Sequence, residues 1–428
     1  MPHVVYQLFV SAFGGLDGVA AHLDHVVAVG ADAIYLTPIF ASPSAHKYDT
    51  ADYDVIDPAF GDDAAFDRLA TACRSRDLGL ILDGVFNHVG ETHRWRAEHP
   101  DWFTGSDWRG YPTLRELDTG NVNVRNACAE IIARWTARGA TGWRLDTAND
   151  LGPAFAGELA RAAWTAGATD GVIGEIMGYG AGWVRTGGLD GIMNYWLRST
   201  AVALASSSAP AGQLQAALDR LVADMELPSL QASWSLVGSH DTARLATALD
   251  DDAARVRLAL ALAFAYPGVP MIYYGDELGM PGSARDPENR RPVPPPSAWD
   301  RERLDLVRHL CAIRRGEPAL HNGRYVAMPQ PGTDLVAFAR VTDDPAQTLI
   351  FVANASPRPL EATLFVPLPL MFDGLPLHDL LHASETPSLM SAGTLPLTLS
   401  GHGCLLLKPR DTHPGGYRFF KPVLDFSP

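Results

Sequence analysis

The sequence predicts an α/β fold: a (β/α)8 TIM barrel with a short subdomain after its third strand and a C-terminal antiparallel β domain. Three observations support this prediction. Through residues 1–322, apolar β-branched runs alternate with amphipathic segments, and one long stretch without periodicity interrupts them. After about residue 323, apolar and polar residues alternate with a period of two. The length of 428 residues also suits a barrel of about 250 residues with a smaller companion.

Eight apolar runs are interpreted as the barrel strands, and a helix is expected after each of them. The runs begin at Val4, Ala33, Leu78, Thr141, Gly171, Gly191, Trp234 and Val269. The expected helices are Asp17–Val29, Asp62–Arg76, Val124–Arg138, Pro153–Ala166, Ala211–Met225, Ala253–Phe264 and Arg301–Arg314, with a short, weak connection at 181–187. Eight such pairs are the number that closes a parallel barrel.

The connection after the third strand is too long for a simple loop. Residues 88–121 are rich in Trp, His and Asp and lack periodicity. They leave the barrel at the carboxyl ends of the strands, where such barrels build their active sites, so a substrate-shaping subdomain is expected. The predicted division is therefore 1–322 for a catalytic barrel, 323–410 for a β-sandwich domain and 411–428 for a tail of unassigned role.

Charge and composition exclude several classes of partner. The 34 Lys and Arg residues against 49 Asp and Glu give a net charge of −15 without a basic run, so nucleic acid is not expected. No apolar run reaches membrane-spanning length, and the first residues lack the pattern of a signal peptide. The four cysteines have no CxxC spacing, which favours reduced, buried thiols. A cytoplasmic location is expected.

The stretch GWRLDTAND brings an arginine and an aspartate together at the end of the fourth strand. Side chains two apart on a strand point to the same side, so Arg144 and Asp146 project together. A neighbouring guanidinium lowers the pKa of a carboxyl group. Asp146 is therefore expected to be ionised at neutral pH and available as a nucleophile.

A second carboxyl, Glu175, lies in the apolar run VIGEIM on the fifth strand, with no cation nearby in the sequence. Apolar surroundings raise the pKa of a carboxyl group and favour its proton-donating form. A nucleophile and a proton donor are the pair that a glycosidase needs. Asp241 follows His240 in GSHD at the seventh strand, and Asp83 in DGVFNH is placed to brace Arg144. Taken singly, each acid is as easily a cap or an ion-pair partner.

DGVFNH, GWRLD, GE and HD, in this order and at these strand ends, resemble the four signature regions of the α-amylase family, glycoside hydrolase family 13. HKYDTADYDVIDPAFG, ANDL and IYYGDELGM with DPENRRP are similar to the neopullulanase, cyclomaltodextrinase and maltogenic amylase group, without its N-terminal domain. The ordered set is specific, whereas GE or HD alone would mean nothing.

The resemblance implies a role for each matching residue. It makes Asp146 the nucleophile, Glu175 the general acid/base and Asp241 the third carboxylate that holds the sugar hydroxyls. The implied substrate-binding residues are Tyr48, stacking under the reactive sugar, Asp83, His88, Arg144 and His240 around it, and Asp286 with Arg290 at the neighbouring glycone subsite. Asn87 matches a position that holds calcium in many α-amylases, so a structural calcium is a candidate while no cofactor is required.

Several features depart from the group or stay open. Met177 stands where the group commonly has Trp, and RELDTGN replaces the usual stretch before the third helix. Five aromatic residues crowd the long connection and are either sugar platforms or the core of the small subdomain: Trp95, Trp102, Phe103, Trp108 and Tyr111.

The resemblance implies a retaining hydrolase of α-1,4-glucosidic bonds in short α-glucans such as maltooligosaccharides and cyclodextrins, with pullulan and starch as further candidates. The alternative is an α-glucanotransferase or trehalose-forming isomerase of the same family, because water and sugar hydroxyls compete for one covalent intermediate. A binding subunit without catalysis would lack the carboxylates that are present here. The expected partner is the small-molecule glucan, for a monomer or a homodimer.

Overall fold

The computed structural model describes residues 1–284, 288–368, 371, 374–386 and 391–410. The predicted tail, 411–428, lies outside the described residues. The strands are β1 (Val5–Leu8), β2 (Ala33–Leu36), β3 (Phe40–Ala41), β4 (Asp52–Ile56), β5 (Gly79–Gly84), β6 (His88–Gly90), β7 (Phe103–Asp107), β8 (Leu114–Leu117), β9 (Gly142–Leu145), β10 (Val172–Ile176), β11 (Gly191–Asn194), β12 (Trp234–Leu236), β13 (Val269–Tyr273), β14 (Arg324–Ala327), β15 (Leu335–Val341), β16 (Leu349–Asn354), β17 (Leu360–Phe365), β18 (Leu377–Asp379), β19 (Ser384–Thr386), β20 (Thr394–Leu399) and β21 (Cys404–Pro409).

The α-helices follow the same order along the chain. They are α1 (Leu16–Val29), α2 (Asp63–Arg74), α3 (Trp95–Glu98), α4 (Val122–Arg138), α5 (Ala148–Leu151), α6 (Pro153–Thr165), α7 (Ala181–Gly187), α8 (Tyr195–Ala205), α9 (Ala211–Asp224), α10 (Leu227–Ala232), α11 (Leu245–Ala248), α12 (Ala253–Ala265), α13 (Arg301–Gly316) and α14 (Pro318–Asn322). None of these helices is both long enough and apolar enough to cross a membrane, within the residues that the structure describes.

A closed parallel barrel forms the centre of the molecule and confirms the predicted fold class. Its strand order is β1, β2, β5, β9, β10, β11, β12, β13, and β13 pairs with β1 to close it. The side chains alternate between two environments, as the period of two requires. On β9, Trp143 and Leu145 pack under the outer helices, whereas Arg144 points into the barrel. The barrel therefore carries its polar side chains inward on strands that are otherwise apolar.

The sixth βα unit differs from the prediction. The apolar run from Gly191 was expected to continue through Trp196, but β11 ends at Asn194 and α8 begins at Tyr195. The reason is a helix cap, because the side chain of Asn194 accepts a hydrogen bond of 2.9 Å from the backbone N–H of Leu197. The predicted helix from Ala211 exists as α9, the second helix of this connection.

The segment after β5 forms a small sheet of its own, in the order β6, β8, β7, beside the barrel mouth. The chain after residue 323 forms a six-stranded antiparallel sheet, β14-β15-β16-β21-β18-β19, and a two-stranded sheet, β17-β20. Leucines 364, 395 and 397 of the smaller sheet pack with Ala337 and Ile350 of the larger one in a buried cluster. The two C-terminal sheets therefore enclose one apolar layer between them.

A buried arginine, Arg340, joins the C-terminal sheet to the barrel. Arg340 on β15 donates hydrogen bonds to the carbonyl oxygens of Ala265 (3.0 Å), Leu320 (3.0 Å) and Gly323 (3.1 Å). Burial and the nearby Arg314 lower the pKa of Arg340 to about 9. The guanidinium of Arg340 thus supplies donors to buried carbonyl groups at the end of the barrel, and Arg314 also donates to that of Leu320.

We expect Arg340→Ala to lower the free energy of unfolding by about 3 kcal/mol, because the carbonyl groups of Ala265 and Gly323 lose a donor, that of Leu320 keeps only Arg314, and a cavity remains. Urea unfolding measures the change. Arg315→Ala is the matched control, since Arg315 is exposed and donates to the carbonyl of Gly30. The control should change the free energy of unfolding by less than about 0.5 kcal/mol. Equal effects of the two substitutions would contradict the role of Arg340.

Candidate active site

An open cleft of about 450 Å³ lies at the carboxyl ends of the barrel strands. Its lining residues come from the strand ends, from the β2–β4 connection and from the small sheet: His46, Tyr48, His88, Trp108, Arg109, Tyr111, Thr113, Leu114, Asp146, Thr147, Asn149, Glu175, Met177, Asp241 and Arg290. A volume of this size is typical of a small-molecule site. The sequence-predicted carboxyl groups Asp146, Glu175 and Asp241 all face this cleft.

The guanidinium of Arg144 is the centre of the site. Its Nη1 donates to Asp83 Oδ1 and to Asp146 Oδ1, each at 2.7 Å, and its Nη2 lies 2.7 Å from Glu175 Oε1. Sheet register explains the convergence, because Arg144 pairs with Asp83 on one side and with Ile173, two residues before Glu175, on the other. Three carboxyl groups on adjacent strands therefore share one buried cation.

Asp146 differs electrostatically from the prediction. Burial raises the pKa of Asp146 well above its ordinary value, with Arg144 opposing and Glu175 and Asp83 adding to the rise. Burial likewise raises the pKa of Asp83. The prediction of a lowered pKa for Asp146 was wrong because two other carboxyl groups share the Arg144 guanidinium. One shared positive charge does not outweigh the desolvation of Asp146 and the repulsion from these two groups.

Glu175 also has surroundings that the sequence did not indicate. No cation lies near Glu175 in the sequence, but in the structure Arg144 of the neighbouring strand lies beside it. The backbone N–H of Thr147 donates a hydrogen bond of 3.0 Å to Glu175 Oε2. Thr147 has φ 41° and ψ 47°, a left-handed conformation that is rare for a β-branched residue. This local strain directs the N–H that follows Asp146 towards β10.

Tyr48 connects Asp83 to His240. Its hydroxyl donates to Asp83 Oδ2 at 3.0 Å and lies 2.6 Å from His240 Nε2, and the two rings are parallel within 1°. His240 Nδ1 lies 2.7 Å from the side-chain amide of Gln7, and its Nε2 lies 3.0 Å from Asp241 Oδ2. Burial lowers the pKa of His240 well below its usual value, so the imidazole is neutral at neutral pH.

Arg290 and the stacked pair His88 and Trp108 line the rest of the cleft. Arg290 Nη2 lies 3.4 Å from Asp241 Oδ1, so this arginine reaches the third carboxyl group. Asp286, predicted at the same subsite, lies outside the described residues. His88 stacks on Trp108 with ring centroids 4.6 Å apart, and burial lowers the pKa of His88 to about 4. Trp108 Nε1 in turn donates to Asp150 at 2.8 Å.

The five aromatic residues of the connection after β5 divide between the two predicted roles. Trp95 and Trp102 are buried and pack on each other with centroids 4.9 Å apart, and Phe103 packs against the same core. Trp108 is covered by His88 on one side and lies 4.5 Å from the Arg109 guanidinium. Tyr111 is 57% exposed and lines the cleft, so its ring is free to stack on a sugar.

Cysteines and candidate metal ligands lie away from this chemistry. All four cysteines are buried and free, as expected, and burial raises the pKa of Cys73 and Cys311 to about 12. Asn87 is buried and its side-chain nitrogen lacks a hydrogen-bond partner. Within the described part of the chain, no group of three or more His, Cys, Asp and Glu side chains is arranged to hold a metal ion. A calcium ion at Asn87 stays a prediction.

Sequence reasoning missed several residues that complete the site. Gln7 and Tyr35 are polar positions in buried strands, and Tyr35 donates to Asp83 Oδ2 at 2.6 Å. A polar side chain at an inward position of an apolar strand was the available signal. Thr147 and Asn289 gave no such signal. Thr147 acts through its backbone N–H, and Asn289 donates to backbone carbonyl groups of another segment, so neither contact is visible in the sequence pattern.

Comparison with a family model decides the family of this chain. The model described as "Alpha amylase, catalytic domain" matches residues 10–112 and 103–305. The chain belongs to the α-amylase family. Neopullulanase 2 of Thermoactinomyces vulgaris is 34% identical to this family member over 365 residues, 78% of this chain and 62% of that protein. A cyclomaltodextrinase of Geobacillus thermopakistaniensis is 31% identical over 422 residues, 92% of this chain and 70% of that protein.

Solved structures of the α-amylase family agree over nearly the whole chain. The debranching enzyme of Nostoc punctiforme has a TM-score of 0.85 at 29% identity, covering 95% of this chain and 98% of that one. The cyclic α-maltosyl-(1→6)-maltose hydrolase of Arthrobacter globiformis has a TM-score of 0.80 at 27% identity, with the same coverage. This chain spans 62% of the length of neopullulanase 2. The family resemblance read from the four motifs is confirmed.

We expect Asp146→Asn to stabilise this α-amylase family protein at pH 7. The raised pKa means that ionised Asp146 costs folding free energy at neutral pH, and the cost vanishes once the carboxyl is protonated in both states, below about pH 4. The gain in the free energy of unfolding is therefore expected at pH 7 and should shrink towards zero as the pH falls to 4.

Urea unfolding at pH 7 and pH 4 measures this gain. Asp24→Asn is the control, because Asp24 forms an exposed ion pair with Arg76, and such pairs contribute little. A destabilised Asp146→Asn protein at pH 7 would show that Arg144 fully compensates the ionised carboxylate. An equal gain at both pH values would show that the gain does not arise from the charge of Asp146.

Proposed function

We propose that this protein is a retaining α-glucoside hydrolase that cleaves α-1,4-glucosidic bonds of short α-glucans through a covalent glucosyl-Asp146 intermediate. The observation that carries the proposal is the pair Asp146 and Glu175 on the two terminal nitrogens of Arg144, at the floor of an open cleft. Two carboxyl groups flanking one sugar carbon are the requirement of retaining hydrolysis. The names of the relatives, neopullulanase and cyclomaltodextrinase, support the substrate class.

The proton balance of the cluster supports the assignment of roles. Four carboxyl groups, Asp83, Asp146, Glu175 and Asp241, meet the cations Arg144 and Arg290. Burial raises the pKa values of Asp83 and Asp146, so this cluster takes up a proton more readily than free carboxyl groups do. Retaining hydrolysis needs one protonated carboxyl group as the general acid and one ionised carboxylate as the nucleophile.

Asp146 is the better placed nucleophile. It accepts an aligned hydrogen bond from Arg144 Nη1, whereas Nη2 lies close to Glu175 without hydrogen-bond alignment. This hydrogen bond opposes the rise that burial causes in the pKa of Asp146 and so favours its ionised form. Glu175 donates its proton to the glycosidic oxygen while Asp146 attacks the anomeric carbon and the leaving sugar departs. Glu175 then takes a proton from water, which cleaves the glucosyl ester and regenerates both groups.

The remaining side chains hold the sugar. The ring of Tyr48 lies beside the cleft. Neutral His88 and His240 each have one ring nitrogen that donates and one that accepts, and they are proposed to hydrogen-bond hydroxyl groups of the sugar. Asp241 is one third exposed in the cleft, so its carboxylate is accessible to hydroxyls of the same sugar. Tyr111 and Met177 add exposed apolar surface for further glucose units.

The protein is proposed to act in the cytoplasm as a monomer or homodimer. Four buried free thiols suit a reducing compartment, and a relative named intracellular maltogenic amylase from Bacillus subtilis is 30% identical over 371 residues.

Products from maltotriose, cyclodextrin, pullulan and starch test this function. We expect new reducing ends whose first-formed anomer is α, observed by NMR, because two displacements retain configuration. Glu175→Gln should lower kcat by about 10²-fold to 10⁴-fold, the range for loss of a general acid. Glu130→Gln, on the exposed face of α4, is the control and should keep wild-type activity.

A β-anomeric first product would overturn the retaining mechanism. Longer or rearranged products in place of new reducing ends would favour the transferase or isomerase alternative. Full activity of Glu175→Gln would remove the proposed acid/base role.

A further inference from the structure

Two segments after consecutive barrel strands meet beside the cleft. The 239–242 turn follows β12 and carries His240 and Asp241. The helical turn Glu288–Arg290 follows β13. Inside the 239–242 turn, Ser239 Oγ accepts a hydrogen bond of 3.2 Å from the backbone N–H of Asp241, and Thr242 Oγ1 accepts one of 3.0 Å from that of Ser239.

Asn289 closes the 239–242 turn from outside. It is fully buried, and its Nδ2 donates to the carbonyl oxygens of Ser239 at 3.0 Å and of Thr242 at 2.9 Å. These two carbonyl groups flank the His240–Asp241 pair on either side. One amide group therefore holds both ends of the dipeptide, while its own Oδ1 has no hydrogen-bond partner among the described residues. Donation is the contribution of this side chain.

The barrel wall fixes the position of Asn289. Its carbonyl oxygen accepts hydrogen bonds from Arg244 Nη2 at 3.0 Å and from the Tyr273 hydroxyl at 2.9 Å. Arg244 is itself held by Asp276 Oδ1 at 3.1 Å and lies 4.4 Å and 4.8 Å from the ring centroids of Tyr273 and Tyr274. These contacts are buried, so the anchor is rigid relative to β13.

The residue after Asn289, Arg290, contacts the 239–242 turn directly. Arg290 Nε lies 3.4 Å from the carbonyl oxygen of His240, and Arg290 Nη2 lies 3.4 Å from Asp241 Oδ1. Asn289 therefore holds the backbone of the 239–242 turn, and Arg290 approaches the carboxyl group that the turn presents. A shift of residue 289 would displace both.

We propose that Asn289 is a positioning residue for the reaction: through the Ser239 and Thr242 carbonyl groups it fixes where His240 and Asp241 meet the sugar. The inference rests on the proposed function, because only then does Asp241 contact substrate. A fully buried asparagine can also serve stability alone, and the two roles make different predictions.

Asn289→Ala and Asn289→Asp test the inference. Alanine removes both hydrogen bonds, and an aspartate of nearly the same size cannot donate either of them when ionised. We expect kcat/KM on maltotriose to fall on the order of 100-fold, the effect of small misplacements at a catalytic site. Thermal unfolding of each variant is recorded first, and Asn289→Asp provides the measurement if the alanine variant does not fold.

Asn354→Ala is a matched control in the C-terminal domain. Asn354 is fully buried, and its Nδ2 donates to the carbonyl oxygens of Arg358 at 2.8 Å and Ser400 at 2.9 Å. Asn354→Ala therefore removes two hydrogen bonds from a side-chain amide to backbone carbonyl groups, as Asn289→Ala does, but far from the cleft. This variant should lose stability yet keep the kcat/KM of the wild type.

A double-mutant cycle with Asp241→Asn separates positioning from stability. If Asn289 acts through Asp241, the loss from Asn289→Ala should be much smaller in the Asp241→Asn background. Additive losses, or an Asn289→Ala protein with wild-type kcat/KM, would overturn the inference while leaving the hydrolase assignment intact. A wild-type protein without activity on any α-glucan would instead refute the proposed function.

Discussion

The site depends on one buried guanidinium. Arg144 is fully enclosed and lies 2.7 Å from each of three carboxyl groups on neighbouring strands. Without this cation, three acids could not be ionised together in a dry barrel mouth, because desolvation and mutual repulsion would protonate them. With it, the cluster still carries more acid than base. This excess of carboxyl groups favours uptake of a proton by the cluster, and hydrolysis of a glycoside needs both an ionised carboxylate and a transferable proton.

Hydrogen bonds from residues on different barrel strands fix the positions of the side chains around this cluster. Gln7, Tyr35 and Tyr48 reach His240 and Asp83 from the first two βα units, and Asn289 reaches the 239–242 turn from the last. Each of these groups is itself held by a neighbour. The side chains that would touch a sugar are therefore oriented by a shell of partners fixed to the barrel strands.

The small sheet after β5 closes one side of the cleft. Trp108 connects it to the barrel, since its ring stacks with His88 and its Nε1 donates to Asp150, four residues after the proposed nucleophile. These contacts, and the Arg109 guanidinium beside the ring, fix the orientation of Trp108 in the cleft wall, whereas the ring of Tyr111 is 57% exposed. Aromatic content in a loop therefore does not by itself identify the sugar-binding rings.

By itself, the sequence determined the barrel, the order of its strands and the identity of the acids at the strand ends. Alternating apolar runs specify elements, and Arg144 and Asp146 share a face because they are two apart on one strand. It did not determine α8, whose start depends on a cap at Asn194. The tertiary structure alone decided the electrostatics. Arg144 reaches Glu175 across the register of β9 and β10, and burial outweighs a shared guanidinium at Asp146. The physical reason is that a pKa depends on the charges and solvent within a few ångströms, and most of those neighbours come from distant parts of the chain.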